Sequence, residues 1–358
     1  MDTFERLAER LSLPIARALA LVHIVLLAWF LAVLMAAVDQ ARAETAPCVG
    51  QDLMPKIEAA SPGATARMQA EADRTPNGKG LLWRIDKQGA APSWLFGTMH
   101  LSDPRVTRLP AAAQKAFDAA GTVVIETTDV LDQAKFAAQV AADPSLTMYT
   151  GKDSLKTVLP AERLAEVEAA LKRRGIPLMS VVKMKPWLLT TMLAAPDCEV
   201  SRQMSGLAVL DWKLARDAQA AGKEVQGLEN GLDQIRAMDS VPVEFHIKGL
   251  IGLLQIDDER DNLFETMTRL YLQGQTGMFK PLFRESDVLA PGLSGGMDNY
   301  AEFEQVMVDK RNLTMADNAA PILAEGNAFI AVGALHLPGE KGLVEEFRRR
   351  GFAVSAVD

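Results

Sequence analysis

Two histidines follow apolar runs of the chain at the same spacing. The run SWLFGTMH ends at His100 with Gly97 three positions earlier, and AFIAVGALH ends at His336 with Gly333 three positions earlier. Such β-prone runs are typical of buried strands. We expect each glycine to let the backbone turn sharply and direct its histidine to the strand end. One G-x-x-H motif is a weak signal, since a single strand-end histidine is more often structural, but two in matched surroundings favour a functional pair.

Two glutamates also end strand-like runs. Glu126 closes TVVIE and Glu229 closes KEVQGLE. In open α/β sheets, ligands bind beyond the carboxyl ends of the strands. If the four strands are parallel and adjacent, two imidazoles and two carboxylates meet at one edge of the sheet. The alternative for each glutamate alone is a solvated side chain at a strand end.

Imidazole and carboxylate together form a site for a divalent metal ion such as Mn, Co, Zn or Fe, and the sequence does not select among these. Such an ion lowers the pKa of bound water and polarises a carbonyl group. We therefore expect His100, His336 and Glu126 to bind a metal ion. Glu126 and Glu229 are the candidate catalytic carboxylates, since a carboxylate that does not bind the ion could act as general base.

Other polar residues are weaker candidates. Arg311 and Asn312 lie in a predicted helix before the last strand, where the Arg311 guanidinium could hold a substrate oxygen or the pair could form a solvated helix face. His246 is interpreted as a packing residue of a helix, and His23 as a passenger in an N-terminal apolar run. The sequence contains no H-E-x-x-H, G-x-S-x-G, Walker A or G-x-G-x-x-G motif.

The elements that carry these residues repeat one order. LLWRID and SWLFG predict a β-hairpin, and the helix LPAAAQKAFDAA and the strand TVVIE follow. Near the C-terminus the strand AFIAVG, the helix KGLVEEFRRR and the strand FAVSAV repeat this plan, and amphipathic helices fill the middle of the chain. The sequence therefore predicts an α/β fold. Its mixed, largely parallel sheet is built from two β-loop-α-β halves flanked by helices, with a long helical insertion.

The N-terminus predicts export. Arginines precede an uncharged stretch at 18–38, long enough to cross a bilayer, and an A-x-A cleavage pattern follows it. Residues 1–43 are thus a signal peptide or a membrane anchor, 44–80 a linker or N-terminal segment, and 81–358 the main domain. Either reading exports the domain to the periplasm, where it is soluble after cleavage or tethered to the inner membrane. The formal net charge of -8 argues against a nucleic-acid partner.

The two cysteines are Cys48 and Cys198. Export to an oxidising compartment favours a disulfide between them. Neither cysteine has an obvious base partner, and the residues before Cys48 do not match a lipid-attachment pattern.

Several of these stretches together resemble the TraB/GumN family, which is related to the animal Tiki proteins. They cover about residues 48–358 and read WLFGTMHLSDPRV, VVIETTD, GKEVQGLEN, KRNLTMA and AFIAVGALHLPGEKGLVEEFRRRGFAV. The resemblance implies a fold shared distantly with erythromycin esterase-like and ChaN-like proteins. Tiki proteins are metal-dependent proteases that use paired G-x-x-H motifs and a glutamate.

Carried over to this chain, the resemblance implies roles for His100, His336 and Glu126, and it matches Arg311 and Asn312 to the family's Arg-Asn pair. Asn230 departs from the threonine that relatives often carry after the second glutamate. Both cysteines resemble features of the bacterial members, which supports the disulfide.

The sequence thus predicts an exported metal-dependent hydrolase acting on a peptide or another small substrate. The alternative is an envelope protein without catalytic activity that uses the same cleft to bind a ligand such as a haem-like group, or that regulates another envelope protein.

Overall fold

The computed structural model describes residues 48–256, 259–289 and 300–357. Within these residues, six strands form one sheet in the spatial order β4-β3-β5-β2-β1-β6. Their bounds are β1 Leu82–Asp86, β2 Ser93–Thr98, β3 Thr122–Ile125, β4 Glu224–Gly227, β5 Ala328–Gly333 and β6 Ala353–Ala356.

Strand pairing confirms a largely parallel sheet. β2 and β3 both pair with β5 in parallel, and β4 joins β3 in parallel. β1 is antiparallel to both β2 and β6, so that it alone runs against the other five strands. The predicted hairpin is therefore β1–β2. The C-terminal unit is β5-loop-α-β6, but its last strand lies at the far edge of the sheet, beyond β2 and β1.

Helices cover both faces of the sheet and form the insertion. The α-helices are α1 Met54–Ala60, α2 Ala64–Arg74, α3 Pro104–Thr107, α4 Ala111–Ala119, α5 Gln133–Ala142, α6 Leu155–Val158, α7 Ala161–Arg173, α8 Leu178–Val181, α9 Pro186–Ala194, α10 Asp197–Met204, α11 Leu210–Ala220, α12 Gly231–Ser240, α13 Val243–Gln255, α14 Arg260–Leu272, α15 Phe279–Glu285, α16 Tyr300–Glu304, α17 Lys310–Glu325 and α18 Leu343–Arg349.

Alternating side chains of the strands build two cores. Phe96 and Phe329 face a layer that contains helices α4, α11 and α14, whereas Leu95 and Ile330 face α17 and α18. Every residue from Ala328 to Val332 is buried, as expected for a central strand with both faces covered. The insertion has an apolar cluster of its own, formed by residues of α6 to α9 and α13.

Residues 48–80, predicted to be a linker or an N-terminal segment, contain two helices. α1 and α2 lie in this segment, and their Ile57 and Met68 are fully buried in the larger core. The many alanines and prolines of the segment are compatible with short, closely packed helices. Proline lies at the start of α1, the position of a helix that tolerates it best.

The predicted disulfide is confirmed. Cys48 and Cys198 are bonded, with their Cα atoms 5.4 Å apart, and α10 is thereby attached to the segment that precedes α1. Among the described residues, no helix is sufficiently long and apolar to span a bilayer. The predicted membrane segment 18–38 and His23 lie outside the described residues.

Candidate functional site

The carboxyl ends of four parallel strands bring the predicted residues to one edge of the sheet. Thr98, the last residue of β2, lies opposite Gly333, the last residue of β5. Ile125, which ends β3, lies opposite Ala331 of β5 and Gly227 of β4. The loops that follow these ends carry the candidate histidines and glutamates. We call the group formed by His100, Glu126, Glu229, Arg311 and His336 the edge cluster.

His100 is oriented by an aspartate of a different element. Its Nδ1 lies 2.7 Å from Oδ2 of Asp211, whose Oδ1 accepts a hydrogen bond of 2.5 Å from the Thr98 hydroxyl. An ionised carboxylate only accepts hydrogen bonds, so that Nδ1 carries the proton and Nε2 faces the cluster. The charge of Asp211 raises the pKa of His100 to about 9. Near pH 7 the metal-free ring therefore also carries a proton on Nε2, which a bound metal ion would displace.

His336 is buried and held by an asparagine. The Asn312 amide nitrogen donates to the Lys341 carbonyl at 2.8 Å, so that its oxygen, 2.7 Å from His336 Nδ1, must accept. His336 therefore also carries its proton on Nδ1 and presents Nε2, which lies 4.0 Å from Oε1 of Glu126. Burial lowers the pKa of His336 to about 4, which keeps the ring neutral near pH 7.

The two rings approach the same point. A Cβ added to Gly333 would lie 3.7 Å from Nε2 of His100, 3.6 Å from Cδ2 of His336 and 3.2 Å from Oε1 of Glu126. The φ angle of Gly333 is −50°, and Gly97 lies within β2, so that neither glycine supplies the sharp turn that we expected. Glycine leaves space here, because a Cβ at 333 would press on Oε1 of Glu126 and touch both rings at ordinary van der Waals distances.

Glu126 is ionised and fully engaged. Its Oε1 accepts from the Gly333 amide at 2.7 Å, and its Oε2 accepts from Arg311 Nη2 at 2.7 Å and from the Gln234 amide at 3.2 Å. Burial alone would raise the pKa of Glu126, but the positive charges of His336 and His100 when these rings are protonated, the guanidinium and the Gly333 amide lower it to about 2. The carboxylate therefore stays charged at any physiological pH.

Glu229 and Arg311 form a buried pair beside Glu126. Arg311 donates to Glu229 through Nε at 3.0 Å and Nη2 at 2.8 Å, and its Nη1 donates to the Met307 carbonyl. All three guanidinium nitrogens thus have partners within the protein. The catalytic role of Glu229 and the substrate role of Arg311 remain predictions. The observed contacts show that Arg311 bonds to both carboxylates and thereby links Glu229 to Glu126.

Two further residues of the site have no local signal in the sequence. Asp211 lies in the first turn of α11, and Gln234 lies in α12 and bonds to both glutamates. His246 lies elsewhere, since its Nε2 faces the Met238 carbonyl at 3.0 Å and its ring contacts Phe245.

The donor chemistry of the cluster fits a divalent ion. Two imidazoles, each held at Nδ1 by an oxygen acceptor so that Nε2 is presented, form the arrangement found around histidines that bind metals. His100, His336 and Glu126 would hold such an ion. The described part of the chain nevertheless contains no group of three or more His, Cys, Asp or Glu side chains placed to enclose a metal ion. Metal binding therefore stays a prediction.

A cleft of about 610 Å³ opens beside the cluster and includes His100, Glu126 and Asp211 in its lining. A second cavity of about 660 Å³ reaches Glu229 and Arg311. Substrate-sized space thus adjoins both parts of the edge cluster.

Comparison with known proteins identifies the family. The model of the TraB/PrgY/gumN family matches residues 81–356. The chain is also 24% identical to the uncharacterized protein YbaP of Shigella flexneri, over 74% of this chain and 90% of the relative. It is 24% identical to the uncharacterized protein YbaP of Escherichia coli K12, over 71% and 87%. The family match spans most of the chain and includes all residues of the edge cluster, so that the protein belongs to the TraB/PrgY/gumN family.

Proposed function

We propose that the protein is an exported hydrolase that uses the edge cluster and a divalent metal ion to cleave peptide bonds. The observation that supports this is the pair of imidazoles from distant parts of the chain, each held at Nδ1 and presenting Nε2 beside an ionised carboxylate. Both rings lie within 4 Å of the Cβ position of Gly333, and Nε2 of His336 lies 4.0 Å from Glu126, so that the two imidazoles border one small space.

Each residue of the cluster has a stated part in this proposal. Asp211 and Asn312 accept the Nδ1 protons of the two rings and so fix the directions of the rings. Glu126 supplies a permanent negative charge between them, and Arg311 keeps that carboxylate in place. A divalent ion bound there would polarise the carbonyl group of the scissile bond. Because the pKa of Glu126 is lowered to about 2, we favour Glu126 as a ligand over Glu126 as general base.

Elemental analysis tests the metal part. The full-length protein, extracted with detergent where it stays with the membrane, is incubated with Mn, Co, Zn or Fe, desalted and analysed. We expect retained metal in the wild type and a loss of at least about tenfold in the His100→Ala/His336→Ala double variant. His246→Ala is the matched control, since His246 lies outside the cluster. Equal metal content in wild type and double variant would end the metal proposal.

Peptide cleavage tests the reaction. Hydrolysis of a mixed peptide library is followed by mass spectrometry with and without each metal ion. We expect cleavage that requires metal and disappears in the double histidine variant but persists in His246→Ala. Metal retention without any cleavage would instead favour a binding protein.

That second candidate, an envelope protein that binds a small ligand without turnover, is supported by the volume of the cleft. Native mass spectrometry of the freshly purified protein would detect a retained ligand.

Export is supported by the disulfide, because such bonds persist in oxidising compartments and are rare in the cytosol. We propose a periplasmic domain, with the 18–38 segment either removed or kept as a tether. N-terminal sequencing of the exported protein distinguishes a start at Glu44 from an intact N-terminus.

A further inference from the structure

The cleft beside His100 is lined by apolar residues as well as by charged ones. Its apolar wall combines the end of β3, the 3₁₀ turn that follows it, the helix α5 and the start of α11. The residues of this wall are Ile125, Val130, Phe136, Val209 and Trp212. A wall of this kind lowers the free energy of a ligand that buries apolar surface against it.

Phe136 has no part in the core of the protein. It lies on α5, a ten-residue helix in which no residue is buried. Its ring rests against the first residue of α12, because a Cβ added to Gly231 would lie 2.8 Å from the ring. Gly231 in turn donates its amide to Asp129 at 2.8 Å. The ring is thus positioned by its contact with Gly231 and forms part of the cleft lining.

The charges in the cleft argue against an acidic ligand. Glu126, Asp129 and Asp211 all contribute to its lining. The one basic side chain among the described residues of the lining, His100, is paired with Asp211, and Arg311 contacts Glu126 from outside the cleft. A carboxylate on the ligand would meet like charges there and would lose hydration. A neutral apolar group meets neither penalty.

We propose that this cleft is the specificity pocket for an apolar side chain, such as Leu, Met or Phe, of a peptide whose adjacent bond lies at the edge cluster. The inference rests on the proposed function, since it places the scissile bond next to His100 and Glu126. It adds the substrate class: peptides with a neutral apolar residue at the cleaved position, and not acidic ones.

Binding of small probes tests the pocket without any turnover. N-acetyl-leucinamide and the amide of N-acetyl-aspartic acid are titrated into the full-length protein and followed by ligand-observed NMR. We expect the leucine probe to bind at least about tenfold more tightly, and Phe136→Ala to weaken it by about fivefold or more. Val140→Ala is the matched control, because Val140 lies on the same helix outside the cleft lining. Equal binding of both probes, or equal loss in both variants, would overturn the inference.

A second measurement distinguishes this inference from the proposed function. Hydrolysis of peptides that differ only in one residue is compared in the wild type, Phe136→Ala and Val140→Ala. Leucine binding that depends on Phe136, without hydrolysis of any peptide, would leave the pocket in place and contradict the hydrolase. Hydrolysis that shows no preference for apolar residues and no effect of Phe136→Ala would reject the pocket and keep the hydrolase.

Discussion

At the scale of single residues, the guanidinium of Arg311 determines the charge balance of the site. It lies between two buried carboxylates, with the Glu126 and Glu229 side chains 11% and 7% exposed. Removing one partner of a buried ion pair leaves the other charge without compensation, which is far more costly than losing a surface pair. Arg311 is therefore a structural requirement of the cluster, whatever contact it makes with a substrate.

Arg311→Met should lower the free energy of unfolding by about 3–5 kcal/mol, because Glu126 and Glu229 would face each other without a counter-charge. Adding Glu229→Gln to this variant removes one charge and should restore part of the loss. Arg236→Met, which breaks an exposed pair with Asp233, should cost about 1 kcal/mol or less. Denaturant unfolding of the wild type and the three variants measures these differences. An Arg311→Met variant as stable as the wild type would refute the structural role of Arg311.

Acid should weaken the metal-free protein in two steps. The folded-state pKa of His336 is about 4, below its ordinary 6.5, so the unfolded chain binds the proton first and stability falls as pH drops from about 6.5 to about 4. The folded-state pKa of Glu126 is about 2, below 4.5, so that Glu126 continues the loss from about pH 4.5 to about 2, together with other carboxyl groups of lowered pKa such as Asp103 and Glu265. Denaturant midpoints measured with a chelator present should show both.

His336→Gln isolates the first of these steps. Burial also lowers the pKa of His246, so that the wild-type slope combines both histidines. The variant should lose the His336 share of the slope between about pH 6.5 and 4 and keep the remainder. An unchanged slope would show that His336 is not held neutral in the folded protein.

At the scale of elements, strand ends were predictable and contacts between elements were not. The apolar runs before His100, Glu126 and His336 predict strands, and the carboxyl-end rule then places these residues at one edge. The order of the strands was not encoded locally, nor was the arrival of Asp211 from α11, 111 positions after His100. Hydrogen bonds of this kind depend on tertiary packing, which leaves no periodic pattern in the sequence.

The sequence reading also missed a local irregularity. Residues Gln305–Asp309 form a π-helical turn directly before α17. Arg311 lies in the first turn of α17, just beyond the π-helical turn, and its Nη1 donates to the Met307 carbonyl within that turn. Such turns occur often at functional sites, and here the turn precedes the residues that hold Glu126 and His336.

The helix α10 links the disulfide to the loop of His100. Cys198 lies in α10 next to Glu199, which is 2% exposed and accepts the Ser102 amide at 2.7 Å. Glu199→Leu should leave that buried amide without an acceptor, at a cost of about 1–3 kcal/mol, and speed hydrogen exchange in the loop after His100. Glu199→Gln retains an acceptor oxygen and should exchange nearly as the wild type does. Equal exchange in all three proteins would refute the link.

At the scale of the whole molecule, the fold class and the family could be read from the sequence, whereas the activity could not. The apolar periodicities and the paired motifs specify a largely parallel sheet flanked by helices, and the structure has it. Whether the edge cluster binds a metal ion depends on atomic positions and on charges, which the spacing of residues in the sequence does not give. The cellular compartment is also a property of the whole chain. It can be tested through the disulfide, because such a bond persists in an oxidising compartment and is rare in a reducing one.

The redox state of the two cysteines should show in which cellular compartment the chain folds. If the N-terminal 43 residues direct export, the full-length protein should carry no thiol that reacts with a maleimide after denaturation, because Cys48 and Cys198 are joined. A variant that lacks residues 1–43 and stays in the reducing cytosol should react at both. The bond closes a loop across 150 positions, so its absence should cost about 2–5 kcal/mol of unfolding free energy. Oxidised glutathione added to the purified variant should restore both properties, and a full-length protein with two reactive thiols would contradict export.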